Sequence, residues 1–89
     1  MGTSETKALE DVRDYAHRGR VRFTKHARER LEQRCGGLAG HVTNALRNAT
    51  DCAKQAESDR WRVKGPDLDG DELEVVLVIE DGVIVVTLF

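Results

Sequence analysis

The residues of this chain best suited to chemistry lie together in Thr24-Lys25-His26-Ala27-Arg28-Glu29-Arg30-Leu31-Glu32-Gln33-Arg34. At about 100° per residue on a helix, His26, Arg30 and Arg34 share an arc of about 80°. Ala27, Leu31 and Cys35 form the adjoining apolar stripe, so the His-Arg-Arg row borders the core. An imidazole exchanges protons near neutral pH, and two guanidinium forks match the oxygens of a phosphate. The row therefore suits proton transfer beside a phosphodiester. Spacing alone equally allows a solvated helix face, with Glu29 and Glu32 answering part of the charge.

A second constellation lies further along. Arg60, Arg62 and Lys64 alternate with Trp61 and Val63, which places three cations on one face of a strand. Such a row can lie along a nucleic-acid backbone, and it can equally guard an edge strand against pairing with other chains. Trp61 reads as a core anchor, because the chain has few aromatic residues to build a stacking surface. Residues 17–34 hold seven Lys or Arg, among them Arg22 and Lys25, against two Glu. An RNA partner with salt-dependent affinity follows from that density. His17 and His41 stand alone and read as structural or solvent-facing. The acidic run Asp67 to Glu72 fails the calcium-loop template, because its glycine comes too early and no closing Glu follows at the required spacing. It reads as a solvated turn, and neither a metal nor a cofactor is expected.

The elements that must hold these residues follow from periodicity. Ala8, Leu9, Val12, Tyr15 and Ala16 recur at helical spacing, with Thr3 or Ser4 as cap and Gly19 as stop. Arg20 to Phe23 is a short extended piece. Thr24 caps a helix over residues 25–34 that Gly36-Gly37 ends. A third helix spans residues 40–49. The period then becomes twofold, with a weak strand at 52–56 and a better one at 60–64. Residues 73–79 and 83–89 form strong strands around Asp81-Gly82, a pair suited to a tight hairpin. Ile84, Val86 and Leu88 alternate with Val83 and Val85, and both strands are apolar on both faces, so cover on both sides of the sheet is expected, from the three helices or, on one face, from a partner. The fold class is α+β: three N-terminal helices packed on a curved antiparallel sheet of three to four strands, plus a short N-terminal strand.

Composition narrows the class. Eighty-nine residues support one modest core. All fourteen Lys and Arg lie in residues 1–64 beside nine acids, whereas residues 65–89 hold seven acids and no base. The net charge of −2 thus conceals a basic body and an acidic, apolar tail. Cys35 and Cys52 are too few for a disulfide scaffold and match no zinc spacing. With no signal-like start and no apolar run of membrane-spanning length, a cytoplasmic protein with reduced thiols is expected.

Thr24-x-His26-Ala27-x-x-Arg30-x-x-x-Arg34, then a helix, then Trp61-Arg62-Val63, then a Gly-Asp turn and paired Val-rich strands, resembles a poorly characterised bacterial domain of the RelE-like/MqsR-like toxin superfamily. Gly19-Arg20-Val21-Arg22 is similar to the short first strand of MqsR-type toxins. The resemblance covers about residues 8–89 and implies a single RelE/MqsR-like toxin domain over residues 1–89, with the RelE-like fold. It also implies an mRNA interferase of a type II toxin–antitoxin pair: a metal-independent endoribonuclease that cleaves through 2′-OH attack. The implied partners are mRNA, free or on the ribosome, and a cognate antitoxin of the zinc-finger kind. The chain departs from MqsR at Arg62 and Leu73, where that toxin has Gln and Tyr, so its active set is read from its own residues. His26 is the expected general base or acid, Arg30 and Arg34 the phosphate clamps, and Arg22, Lys25, Arg60, Arg62 and Lys64 the RNA-binding groups. Two other classes fit the residues. One is a toxin-like domain that binds RNA or protein without cleavage, and the other a DNA-binding regulator with residues 25–49 as a helix-turn-helix.

Overall fold

A computed structural model describes residues 2–89, with side chains from residue 5 onward. The order is α1 (Gly2–His17), β1 (Val21–Phe23), α2 (Lys25–Cys35), α3 (Ala39–Arg47), β2 (Asp51–Lys54), β3 (Arg60–Pro66), β4 (Glu72–Ile79) and β5 (Val83–Leu88). Helix α1 begins ahead of Thr3 and Ser4; the side chains expected to cap it lie outside the described residues. Thr24 caps α2 as its spacing predicts, its Oγ1 accepting from the Ala27 N–H at 3.1 Å. Gly36 ends that helix in the left-handed region at φ 61°, which a Cβ would disfavour. No helix among the described residues is long and apolar enough to cross a membrane.

The five strands form one sheet in the order β1-β5-β4-β3-β2. Strands β2 to β5 pair antiparallel, but β1 pairs parallel to β5, so the sheet is mixed rather than antiparallel throughout. Between the parallel neighbours the chain makes one circuit through α2, α3 and three strands, the kind of long connection that parallel pairing needs.

Three departures from the sequence expectation have clear causes. Strand β3 runs on through Gly65-Pro66, which composition assigns to a loop. Gly65 is there for close approach: a Cβ at this position would stand 2.0 Å from the Ala45 carbonyl oxygen, so α3 rests directly on the strand. In β5 a bulge makes Val86 the extra residue, because Leu77 pairs with Val85 whereas Val76 pairs with Thr87. The alternation changes phase there, and Leu88 joins Val83 and Val85 in the core instead of siding with Ile84. The third departure concerns cover. Helix residues Ala8, Val12, Ala16, Ala27, Leu31, Val42, Ala45 and Leu46 form one core with Val63, Leu73, Val75, Leu77, Val83, Val85 and Leu88. Every one of those strand residues points to the same side of the sheet. The helices cover that face, and among the described residues no element covers the other.

The two edges of the sheet also differ. Along β2, Cys52 and Lys54 turn their N–H groups away from β3. These donate instead to the Asp51 Oδ1 at 3.0 Å and to the Glu5 Oε2 at 3.4 Å. Along β1, the N–H of Val83 bonds to the Arg20 carbonyl and that of Thr24 to the Val85 carbonyl. Val21 and Phe23, between them in register, turn their peptide groups to the free edge.

Candidate nucleic-acid interface

The uncovered sheet face gathers most of the cations singled out from sequence. The register places Arg22 opposite Ile84, Ile84 opposite Val78, and Val78 opposite Arg60. One turn of the pleat further on, Arg62 stands opposite Val76 and Val76 opposite Thr87. Beyond that, Lys64 faces Glu74 on one side and Asp51 on the other. The floor of this face is therefore aliphatic along β4 and β5, with Arg22 on one flank and the β3 cations on the other. Val76 is only 4% exposed although no helix lies over it, because the long side chains around it shield it. Val78 and Ile84 remain half-buried.

Charge on this face is unevenly committed. Arg62 donates through Nε to the Glu74 carboxylate at 3.0 Å and pairs with it again through a terminal nitrogen. The Lys64 ammonium lies 4.0 Å from the other Glu74 oxygen. Arg62, Lys64, Glu74, Asp51 and Ala53 line a hollow of about 160 Å³ in which opposite charges balance. The side chains of Arg22 and Arg60, by contrast, make no hydrogen bond or ion pair among the described residues. The Arg22 end opens into a hollow of about 400 Å³ lined by Gly19, Arg20, Arg22, Asp81 and Gly82. There Arg20 pairs with Asp81 at 3.3 Å, so Arg22 is the cation without a carboxylate.

The α2 row is placed differently from its sequence reading. Helix α2 takes over the edge of β5 where β1 ends. Thr24 Oγ1 donates to the Val86 carbonyl at 3.2 Å, and Arg30 Nε donates to the Leu88 carbonyl at 3.2 Å. The Arg30 guanidinium also reaches Gln33 and lies 5.7 Å from the centre of the Phe89 ring. Arg30 thus fills the place of a missing strand partner, and only part of its fork remains for a ligand. His26, one turn earlier on the same flank, is exposed, as are Lys25 and Arg34. The structure brings Arg22, Arg60, Arg62 and Lys64 onto one surface. It puts His26, Arg30 and Arg34 on the helix that borders the β5 edge of the sheet, with His26 and Arg34 unpaired among the described residues.

The acidic loop departs from its reading as a solvated turn, and His41 is structural, one of the two roles read for it. The acidic loop is a tied turn: Asp67 is 6% exposed, and its Oδ1 accepts from the N–H groups of Asp69 and Asp71. His41 is equally committed, its Nδ1 accepting from the Leu68 N–H at 3.1 Å, while Asn44 donates to the Pro66 and Asp67 carbonyls. One ligand atom each from His41, Asp67 and Asp69 fall within 4.8 Å of one another. The His41 Nδ1 and the Asp67 Oδ1 already accept backbone N–H groups, however, so two of the three are engaged within the loop. The group locks the loop to the start of α3. Both thiols are also structural: burial pushes Cys35 up from its ordinary range and Cys52 to about 11. Trp61 packs at the margin of the core with Lys54 5.2 Å from its ring centre.

Compared with known proteins, the chain matches no family model, no curated protein and no solved structure.

Proposed function

We propose that this chain is a toxin domain of RelE-like/MqsR-like type, with the RelE-like fold, whose uncovered sheet face binds mRNA and whose α2 flank cleaves it. The observation that carries this reading is the open face itself, an aliphatic floor flanked by Arg22 and Arg60, neither of which is ion-paired among the described residues. Phosphates supply the missing counter-charge, and guanidinium forks take them bidentately.

Cleavage is internal transesterification. A base takes the proton of a 2′-OH, the 2′ oxygen attacks the adjacent phosphorus, and an acid returns a proton to the departing 5′ oxygen. The products are a 2′,3′-cyclic phosphate and a 5′-OH end. His26 is the general base or acid, and Arg34, with the free part of the Arg30 fork, offsets the charge that builds on the phosphorane. Lys25 and the β3 cations position the strand. A cognate antitoxin, of the zinc-finger kind in this superfamily, is the proposed protein partner.

The test is cleavage of a synthetic single-stranded RNA in EDTA by the wild-type protein and by His26→Ala. Loss of at least about a hundredfold in rate, with the circular dichroism spectrum unchanged, is expected. Undiminished cleavage by the variant removes His26 from the mechanism.

One observation favours a second reading, binding without cleavage: the Arg30 guanidinium is already engaged by Leu88, Gln33 and Phe89. In that case the wild-type protein binds RNA with a steep salt dependence and leaves it intact. The DNA-regulator reading has less support. Helix α3 buries Val42, Ala45 and Leu46, and its first turn lies against the Asp67–Asp71 loop, which repels phosphate where a recognition helix would read bases.

A further inference from the structure

Arg22 and Arg60 are the two ends of one straight row. In register across four neighbouring strands the sequence is Arg22, Ile84, Val78, Arg60, all on the uncovered face. Three inter-strand steps separate the Cα atoms of the arginines by about 14 Å. Between them lie two branched aliphatic side chains and no polar group. Both guanidiniums are exposed and unpaired among the described residues, whereas Arg62 and Lys64 share Glu74. At the Arg22 end the backbone of Gly19 and Gly82 leaves the 400 Å³ hollow open to a group as large as a phosphate.

We infer that the row is a two-phosphate clamp for single-stranded RNA, which crosses the sheet perpendicular to its strands. The inference rests on the RNA-binding reading above and adds the path of the strand and its two grips. An extended single strand covers the gap between the arginines in two nucleotide steps. A phosphate on Arg22 and the second phosphate along on Arg60 therefore leave two nucleosides, joined by one intervening phosphate, over Ile84 and Val78, where their sugars and the flats of their bases cover the aliphatic floor while that phosphate faces solvent. A duplex keeps its bases stacked inside and leaves that floor wet. Grip by the backbone with no base-edge contact gives affinity without a strong sequence preference.

The experiment measures the salt dependence of binding by fluorescence anisotropy, with a 2′-O-methyl oligoribonucleotide of about eight residues that cannot undergo 2′-OH attack. Arg22→Gln and Arg60→Gln are each expected to reduce the slope of log affinity against log salt by about 0.7, and the double variant by about 1.4. Arg47→Gln, on the helix layer, serves as the control and leaves the slope unchanged. With a dinucleoside monophosphate, which has one phosphate, the double variant is expected to lose no more than the worse single variant. Two results overturn the clamp: an unaltered slope in either single variant, or an equal loss when the ligand is a duplex of the same sequence. Wild-type protein that binds no RNA overturns the clamp and the proposed function together. Wild-type binding with unmoved slopes overturns the clamp alone and leaves the flanked floor to an acidic protein partner.

Discussion

The two faces of the sheet are built from the same strands and nearly the same residue types, yet they carry opposite duties. On the covered face Leu73, Val75, Leu77, Val83, Val85 and Leu88 meet the helices and are fully buried or nearly so. On the other, Val76, Val78 and Ile84 of the same two strands have Arg22, Arg60, Arg62 and Thr87 as their cross-strand neighbours, and among the described residues no helix lies over them. Hydrophobic residues alone do not locate a core. What separates the faces is their neighbours: small residues and helices on one side, arginines on the other.

The comparison is broken most directly by adjacent residues of β4. Leu77→Ala opens a cavity under the helices and is expected to cost about 3 kcal/mol, read from the urea unfolding midpoint. Val78→Ala, one position on and facing outward, should cost about 1 kcal/mol. Equal losses would mean that both faces are core. Arg30→Ala comes next. It leaves the Leu88 carbonyl without its donor and should cost about 1 kcal/mol, whereas a guanidinium kept only for phosphate would leave stability untouched and weaken RNA binding. Cys52 tests the covered face through pH. Its thiol is pushed to about 11 in the folded protein, so the unfolded chain ionises first. Its contribution to stability is present below the unfolded pKa, near 9, and is lost as pH rises through the folded value. Cys52→Ala is therefore expected to flatten the alkaline limb of a stability profile between those values, and an unchanged limb would assign it to other groups. The smallest effect sharpens the open face. Glu74→Gln releases Arg62 and Lys64 from their shared carboxylate and should steepen the salt dependence of RNA binding while moving stability by only a few tenths of a kcal/mol.

Local signals carried the sequence reading far. Thr24 with Gly36 bracketed α2, and the twofold alternation marked β3, β4 and β5, because caps and pleats are decided within a few residues. What escaped was set by residues far apart in the chain. The purpose of Gly65 depends on the Ala45 carbonyl, twenty positions away. The pairing of Lys64 with Glu74 follows only from the β3–β4 register, which a count outward from the Pro66–Glu72 turn could have found. The bulge at Val86 has no marker in composition, yet it alone turns Leu88 inward. Arg30 was legible as a cation beside the core but not as a donor to Leu88, since nothing local says that β1 stops short and leaves the end of β5 unpaired. The parallel placement of β1 was hidden for the same reason.

The carboxylates on β2 have a consequence for growth by strand addition. With the outward N–H groups of Cys52 and Lys54 occupied by Asp51 and Glu5, that side of the molecule offers an arriving strand acceptors and negative charge but no donors. Along the Val21–Phe23 side the outward peptide groups have no such side-chain partner among the described residues. A pair of copies joined edge to edge through Val21–Phe23 would therefore carry the Asp51 and Glu5 carboxylates on both of its outer edges, where they would discourage further addition.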